Sequence, residues 1–330
     1  MKKILKKIIL IIVILIAVLA GYLFIGKAKP AKEIEWGVSF SKRTAIDYGL
    51  DWQKSFSAIL DDLKVKKIRL VAYWDEIEPE EGKYNFNDLE WQLLEVERHE
   101  GQAIFAIGRR MPRWPECFEP EWVKGLSEQE KQEKILDFLK ATINYFKDRP
   151  GIKIWQIENE PFLGTFGKCP KLDKKFLDKE VVLVKYLDPW HPIMITESGE
   201  FSTWIGGAKR ADIVGTSIYR KIYGKLGYVQ YPIPPVFYHR KAILIKSLFN
   251  LKDIIAIEVQ AEPWGPKPVK NMTSAEQDVS MSLKRFNDVI KYTQDTGFDK
   301  AYLWGVEWWY WRKTNGDDSF WETAKKLFVN

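Results

Sequence analysis

The chain has 330 residues, enough for one large domain or two small ones, and its 46% hydrophobic and 14% aromatic content is typical of a globular protein. Its net charge of +6 comes from the N-terminus: seven of the 51 basic residues precede residue 33 and no acidic residue does, so the rest carries 44 basic and 45 acidic side chains. A neutral folded part lacks the basic face that nucleic-acid binding requires, which excludes nucleic acid as a partner.

The first predicted element is an apolar N-terminal segment. Uncharged residues run from Ile8 to Ile25 after four lysines, and this length is close to what a helix needs to cross a membrane. A signal peptide cleaved after Ala20 is the alternative. Because the apolar run continues beyond Ala20, we favour an uncleaved membrane anchor with an extracytoplasmic domain. Residues 1–32 then form the anchor and a short linker, and residues 33–330 form one catalytic domain.

After the anchor, short apolar strands alternate with amphipathic helical segments, which indicates parallel βαβ construction. Strands are predicted at residues 34–40, 67–71, 103–107, 152–157, 193–196, 212–217, 254–258 and 301–304. Helices are predicted at residues 52–63, 87–99, 127–146, 175–187, 237–249 and 274–296. The third helix begins with capping-box spacing, Ser127 to Glu130, and the crossover after the fifth strand is too short for a long helix. Eight strands with crossovers predict a (β/α)8 TIM barrel rather than an open Rossmann sheet.

Several common chemistries lack their sequence motifs. No Gly-x-Gly-x-x-Gly follows a strand and no Gly-x-Ser-x-Gly is present, which argues against dinucleotide binding and serine hydrolysis. The chain has only two cysteines and three histidines, and none has zinc-ligand spacing. We therefore expect no metal and no cofactor.

The residues that follow the predicted strands are mainly carboxylates, amides and aromatic rings. In a (β/α)8 barrel the active site forms at the C-terminal ends of the strands. The candidates there are Arg69, Trp74, Arg110, Trp114, Asn159, Glu160, Tyr219, Glu258, Gln260, Glu262, Trp264, Trp304 and Trp308. Aromatic rings stack on the apolar faces of sugars, and 15 tryptophans exceed the usual need of a core. This set predicts a monomeric protein that binds a neutral, β-linked oligo- or polysaccharide.

Two glutamates are suited to cleaving a glycosidic bond. Such cleavage needs one carboxylic acid to protonate the leaving oxygen and one carboxylate on the opposite side of the sugar. Glu160 follows the fourth strand and Glu258 ends the seventh, and these strands face each other across an eight-stranded barrel. If the carboxyl groups lie about 5–5.5 Å apart, the second attacks directly and configuration is retained.

Residues 154–161, Ile-Trp-Gln-Ile-Glu-Asn-Glu-Pro, resemble the Asn-Glu-Pro acid/base motif of the clan of retaining (β/α)8 glycosidases that contains the cellulase-like glycoside hydrolase family 5. The resemblance extends over residues 34–312. Its other elements are the second-strand Arg69, the segment from Trp74 to Phe86, the sixth-strand Tyr219, and Trp304 with Trp308 at the eighth strand. The resemblance implies a retaining glycosidase that needs no cofactor.

By this resemblance Glu160 is the acid/base and Asn159 hydrogen-bonds the sugar 2-hydroxyl. A regular strand would direct these neighbours to opposite faces, so both can serve only if the strand bends. Pro161 predicts such a bend, because it restricts Glu160 to extended backbone and ends the ladder.

Three glutamates are candidates for the nucleophile. Glu258 directly follows an apolar run and is favoured, whereas Glu262 lies four residues further into the loop. Glu197, in Thr-Glu-Ser-Gly, resembles the terminal signature of the clan but ends the fifth strand. Arg69 would keep Glu258 ionised; the alternative is an ordinary buried ion pair that supports the barrel. The charge of Glu258 should raise the pKa of Glu160 until the nucleophile is glycosylated.

The sequence departs from the family pattern after the third and sixth strands, where many cellulase-like relatives place a sugar-binding histidine; Arg110 or Trp114 can take that place. Cys117 and Cys169 fall in the loops after the third and fourth strands, so a disulfide at the rim of the site is expected. Two functions remain as alternatives: transglycosylation by the same site, and a barrel that binds carbohydrate without catalysis.

Overall fold

The computed structural model describes residues 2–329 and contains ten strands. They are Glu35–Ser39 (β1), Lys67–Val71 (β2), Gln102–Ile107 (β3), Ile152–Ile157 (β4), Ile193–Glu197 (β5), Ile213–Ile218 (β6), Lys221–Gly224 (β7), Gly227–Gln230 (β8), Asp253–Gln260 (β9) and Lys300–Trp304 (β10). Eight of them form a closed parallel barrel in the order β1-β2-β3-β4-β5-β6-β9-β10, with β10 paired to β1. The predicted (β/α)8 barrel is confirmed, with all eight strands at their expected places. The antiparallel hairpin of β7 and β8 was not predicted.

Thirteen α-helices lie within residues 2–329. They are Lys2–Phe24 (α1), Lys42–Asp47 (α2), Trp52–Asp61 (α3), Trp74–Ile77 (α4), Asn87–Arg98 (α5), Glu128–Phe146 (α6), Lys174–Leu187 (α7), Ile205–Ala208 (α8), Pro235–Phe249 (α9), Ser274–Met281 (α10), Leu283–Asp295 (α11), Val306–Thr314 (α12) and Ser319–Lys325 (α13). Short 3-10 turns occur at Glu121–Val123 and Val269–Asn271.

The caps explain where two of the predicted helices begin and end. Ser127 and Glu130 form the expected capping box at the start of α6, with each side chain accepting from the backbone N–H of the other. The single helix predicted for residues 274–296 is wrong. Ser282 has extended backbone, φ −82° and ψ 163°, and its hydroxyl accepts from the N–H of Arg285, so it caps a second helix.

Apolar side chains fill the space inside the barrel below the polar end. Ile104, Met194, Ile213, Ile255, Ile257 and Tyr302, from five different strands, form one buried cluster. Side chains from strands around the whole barrel can meet only in its interior. A larger cluster packs the outer faces of the strands against the helices. This part of the interior is therefore filled by apolar side chains.

The N-terminal helix α1 buries none of its residues and is long and apolar enough to cross a membrane, as a signal sequence would also be. Its C-terminal end contacts α9. The rings of Phe24 and Phe237 have centroids 4.9 Å apart, and Arg240 donates to the carbonyls of Tyr22 and, at 2.8 Å, Ile25. The anchor remains a prediction.

Candidate active site

Glu160 and Glu258 are brought together at the mouth of the barrel, although 98 positions separate them in the sequence. Each is only 7% exposed. Arg69, at the centre of β2 and fully buried, links Glu258 to Asn159, the neighbour of Glu160 in the chain: its Nη1 lies 3.0 Å from Glu258 Oε2, and its Nη2 donates to Asn159 Oδ1 at 2.7 Å. The pKa of Glu160 is raised well above its usual range, by burial first and then by the negative charge of Glu258. Both carboxyl groups therefore belong to one electrostatic site.

An irregularity in β9 turns Glu258 toward the barrel axis. Ile255 and Ile257 point inward, so regular alternation would direct Glu258 outward. Thr216 on β6 pairs with Ala256, but the next residue, Ser217, pairs with Glu258, which leaves Ile257 as an extra residue. Such a bulge re-aims the side chain that follows it, and bulges are common next to active sites.

The chain bends after β4, and the bend differs from the one expected. Glu158 and Glu160 both have positive φ, 56° and 42°. The expectation that Pro161 holds Glu160 in extended backbone is wrong. Hydrogen bonds fix the bend instead: the Glu160 N–H donates to Thr196 Oγ1 at 2.7 Å, and the Glu158 carboxylate accepts from two backbone N–H groups of the loop after β3 at 2.7 and 2.8 Å. These contacts compensate for a backbone conformation that glutamate rarely adopts.

The surroundings of Glu160 favour its protonated form. The Ser217 hydroxyl donates to Glu160 Oε1 at 2.9 Å, and burial together with the charges of Glu258 and Glu116 raises the Glu160 pKa. A carboxyl group that keeps its proton near neutral pH can donate it to a leaving oxygen. Ser217 and Thr196 were not predicted; both are small hydroxyl residues near the ends of apolar strands, which was the only available signal.

The Glu258 carboxyl group is held from two sides. One of its oxygens forms an ion pair with Arg69, and the other accepts a 2.7 Å hydrogen bond from Tyr219 Oη. Burial and the charge of Glu258 raise the pKa of Tyr219, so the phenol keeps its proton and remains a donor. Arg69 Nε also donates to Gln156 Oε1 at 2.8 Å, which orients the guanidinium from a third side. This arrangement suits a nucleophile that must be ionised and fixed in position.

A third carboxyl group, Glu116, was not predicted. It lies in the loop after β3, where this sequence lacks the histidine of the family pattern, and it pairs with Arg110 at 2.6 Å. Burial raises the pKa of Glu116 to about 7, against the opposing positive charge of Arg110. The charge of Glu116 in turn contributes to the raised pKa of Glu160. The candidate site therefore holds three interacting carboxyl groups rather than two.

The mouth also contains a buried ionic cluster next to Trp304. Arg113 pairs with Glu262 and, at 2.8 Å, with Glu307, and its guanidinium lies 4.0 Å from the centroid of the Trp304 ring. The Trp304 indole N–H donates to Glu262 at 2.8 Å. The ion pairs of Arg113 with Glu262 and Glu307 were not predicted, since nothing local in the sequence shows that these segments meet.

No protein-family model and no curated protein matches this chain. Solved structures do match it. A GH5_18 protein from Bifidobacterium longum subsp. longum, in complex with Manb1-4GlcNAc, is 13% identical, with a TM-score of 0.57 over 82% of this chain and 68% of that chain. Xylanase 10B from Thermotoga petrophila, in complex with xylobiose, is 16% identical, with a TM-score of 0.52 over 82% and 81%. A family 5 mannosidase from Rhizomucor miehei is 14% identical, with a TM-score of 0.55 over 84% and 82%. The chain has the barrel fold of these enzymes.

Three predicted sugar-binding residues are buried away from the mouth. Trp74 and Trp308 are fully buried, and their indole N–H groups donate to Glu78 at 2.7 Å and Gln277 at 2.9 Å. Both belong to the core between barrel and helices, so their assignment as substrate contacts is wrong. The third residue, Gln260, is also fully buried. Its amide bonds the backbone of residues 220 and 221, so it positions the β7–β8 hairpin instead of meeting substrate.

The alternative nucleophiles are occupied by structural contacts. Thr196 faces the interior, so Glu197, the next residue on β5, faces outward. Its carboxylate accepts from the Gly207 N–H at 2.6 Å and from the Ser202 hydroxyl, on the side of α8. Glu262 is engaged by Arg113, as described above. Neither is placed to replace Glu258.

Arg110 and a disulfide hold the rim of the mouth. Arg110 is paired with Glu116 and donates to the carbonyls of Leu163 and Phe166 at 2.9 and 3.0 Å, so it positions the loop after β4 and is not free to bind sugar. Cys117 and Cys169 are joined in a disulfide that ties the same two loops.

The aromatic residues Trp114, Phe166, Trp264 and Tyr219 form a continuous row at this rim. Ring centroids are 5.8 Å apart from Trp114 to Phe166, 5.8 Å from Phe166 to Trp264, and 5.2 Å from Trp264 to Tyr219. Trp114 is 59% exposed, whereas the others are partly buried. The row therefore leads from the partner of Glu258 to the surface.

Proposed function

We propose that this protein is a retaining glycoside hydrolase, with Glu160 as acid/base and Glu258 as nucleophile. The observation that carries the proposal is that two carboxyl groups at the same barrel mouth lie in different environments. Glu160 is buried with a raised pKa, whereas Glu258 is held by Arg69 and Tyr219. Such a difference between two carboxyl environments supports Glu160 as the acid and Glu258 as the nucleophile. The barrel fold shared with named glycosidases supports the proposal.

The first step forms a covalent glycosyl-enzyme. Glu160 transfers its proton to the glycosidic oxygen while an oxygen of Glu258 attacks the anomeric carbon, so the bond to the leaving group breaks as the ester bond forms. The Asn159 side chain, oriented by Arg69, lies beside both groups and would bind the hydroxyl next to the reacting carbon. Tyr219 donates to the Glu258 carboxylate, and it can donate to the ring oxygen of the sugar instead when Glu258 loses its charge.

The second step hydrolyses this intermediate. Once Glu258 is esterified its negative charge is gone, and the pKa of Glu160 falls because that charge was one of its causes. Glu160, now ionised, removes a proton from water, and the water oxygen attacks the anomeric carbon as Glu258 leaves. Two inversions give net retention.

We also propose that the substrate is a neutral β-linked glycan and that the domain is extracytoplasmic, anchored by α1. The aromatic row at the rim supports sugar binding, since planar rings pack against sugar faces. The disulfide supports an oxidising compartment, because such bonds are rare in the cytosol.

The test is azide rescue of alanine variants on 4-nitrophenyl β-glycosides of glucose, mannose, xylose and galactose. Glu160→Ala should lose hydrolysis by at least about a hundredfold and regain turnover with azide, giving the β-glycosyl azide. Glu258→Ala should regain turnover by direct displacement, giving the α-glycosyl azide. Glu197→Gln, a buried carboxyl outside the mouth, is the matched control and should keep its activity. Full activity of Glu258→Ala without azide would refute the assignment.

A further inference from the structure

The loop after β3 reaches across the mouth of the barrel. Its base is closed by paired backbone at Arg110 and Cys117, and the Met111 N–H donates to the Glu116 carbonyl at 2.7 Å. Arg113 at its tip has positive φ, 87°, which directs its side chain away from the loop. That side chain ends between Glu262, after β9, and Glu307, after β10. A residue that follows the third barrel strand is thereby bonded to loops that follow the seventh and eighth.

Residues that follow the neighbouring strands also hydrogen-bond the loop where it crosses the mouth. Tyr73, after β2, donates through Oη to the carbonyl of Pro112 at 3.1 Å. Its hydroxyl also lies 2.9 Å from Ser41 Oγ, after β1, and the Ser41 N–H donates to Glu307. One cap over the mouth thus receives a hydrogen bond or ion pair from a residue that follows each of four strands, β9, β10, β1 and β2. We call this cap, made by Arg113 with Glu262 and Glu307, the Arg113 bridge.

The bridge lies on one particular side of the bond to be cleaved. Glu160 must reach the leaving-group oxygen, so the leaving group lies over Glu160 and its neighbours Thr196 and Ser217, on β5 and β6. The remainder of the substrate must extend the other way, past Glu258 toward β10 and β1. That side is where the Arg113 bridge lies. The aromatic row, in contrast, reaches solvent at Trp114.

From this geometry we infer that the proposed glycosidase acts at chain ends and removes one sugar at a time from the non-reducing end. The inference rests on the proposed function and specifies its mode. The Arg113 guanidinium covers a face of Trp304 that would otherwise be free to stack on a second sugar. Arg113 Nε and Glu262 Oε2 are buried and have no hydrogen-bond partner among the described residues. A donor and an acceptor left unsatisfied in a wall are costly unless a ligand, here the terminal sugar hydroxyls, satisfies them.

The experiment uses the full chain and 4-methylumbelliferyl β-glycosides of the mono-, di- and trisaccharides of β-1,4-linked mannose, xylose and glucose. We expect the trisaccharide glycoside to yield free monosaccharide first, with the fluorophore released only after the shorter glycosides accumulate. Early release of fluorophore together with an intact trisaccharide would overturn the inference. Absence of cleavage of every glycoside would instead refute the proposed function, so the two failures are distinguishable by product analysis.

Two variants separate blocking from hydrogen bonding. Arg113→Ala removes the bridge and should allow fluorophore release with an intact disaccharide, while kcat/KM on the monosaccharide glycoside falls about tenfold or more with the lost hydrogen bonds. Arg113→Met keeps a side chain of similar length over Trp304. It should still release one sugar at a time from the chain end, with a similar loss in kcat/KM. Arg109→Ala, from the same loop but paired with Glu119 and Glu128 outside the mouth, should leave the product pattern unchanged. An unchanged pattern in Arg113→Ala would overturn the role of Arg113.

Discussion

Replacing Arg69 by methionine should destabilise the barrel mainly by leaving Glu258 without its cation. Arg69 is fully buried and makes three side-chain contacts, with Gln156 at 2.8 Å, Asn159 at 2.7 Å and Glu258 at 3.0 Å. Breaking a buried ion pair by removing one partner costs about 3–5 kcal/mol, because the other charge remains buried. Since a domain is stable by only about 5–15 kcal/mol, the variant should fold but unfold at clearly lower urea concentration.

A double-mutant cycle isolates the charge effect. Glu258→Gln alone should also cost about 3–5 kcal/mol, because it leaves the fully buried guanidinium of Arg69 without a counter-ion, although Arg69 keeps its bonds to Gln156 and Asn159. In the double variant, Arg69→Met with Glu258→Gln, no charge is left unpaired, so the loss should be smaller than the sum of the single losses by about 1–3 kcal/mol. Urea unfolding followed by tryptophan fluorescence and circular dichroism gives the three values. A strictly additive sum would refute charge compensation and assign Arg69 to packing.

Three further outcomes are expected. Glu116→Gln removes a negative charge that raises the pKa of Glu160, so the pKa of Glu160 should fall. The alkaline limb of the kcat/KM profile should then move to lower pH by about half a unit to one unit. A limb that stays in place or moves to higher pH would contradict the electrostatic coupling of the two carboxyl groups. Replacing both Cys117 and Cys169 by serine opens a link across 52 positions and should cost about 2–4 kcal/mol in urea unfolding, a loss that dithiothreitol should reproduce in the native protein. Mass spectrometry of the mature chain should find α1 intact in the membrane fraction; a product that begins at Gly21 would show a cleaved signal peptide.

Local patterns in the sequence were sufficient for the barrel. Each strand is a short apolar run bounded by turn residues, and a helix cap such as Ser127 with Glu130 depends only on residues three apart. The positions of Glu160 and Tyr219 at strand ends follow from the same runs. The helix predicted for residues 274–296 failed because apolar periodicity continues through Ser282, while the cap that divides it depends on one hydroxyl.

Only the tertiary structure decided which strand-end residues form the site. Alternation within β9 directs Glu258 outward, and the bulge that reverses this is a property of its pairing with β6. Trp74 and Trp308 have the same local setting as surface aromatics, yet helices packed around the barrel bury them. Arg113 reaches Glu262 and Glu307 across 149 and 194 positions. Strand registers, helix packing and loop crossings depend on residues distant in the chain, so no short window of sequence contains them. The sequence by itself determined the barrel and the acidic residues at its strand ends. The tertiary structure decided which of those acids form the site and placed the Arg113 bridge over the mouth.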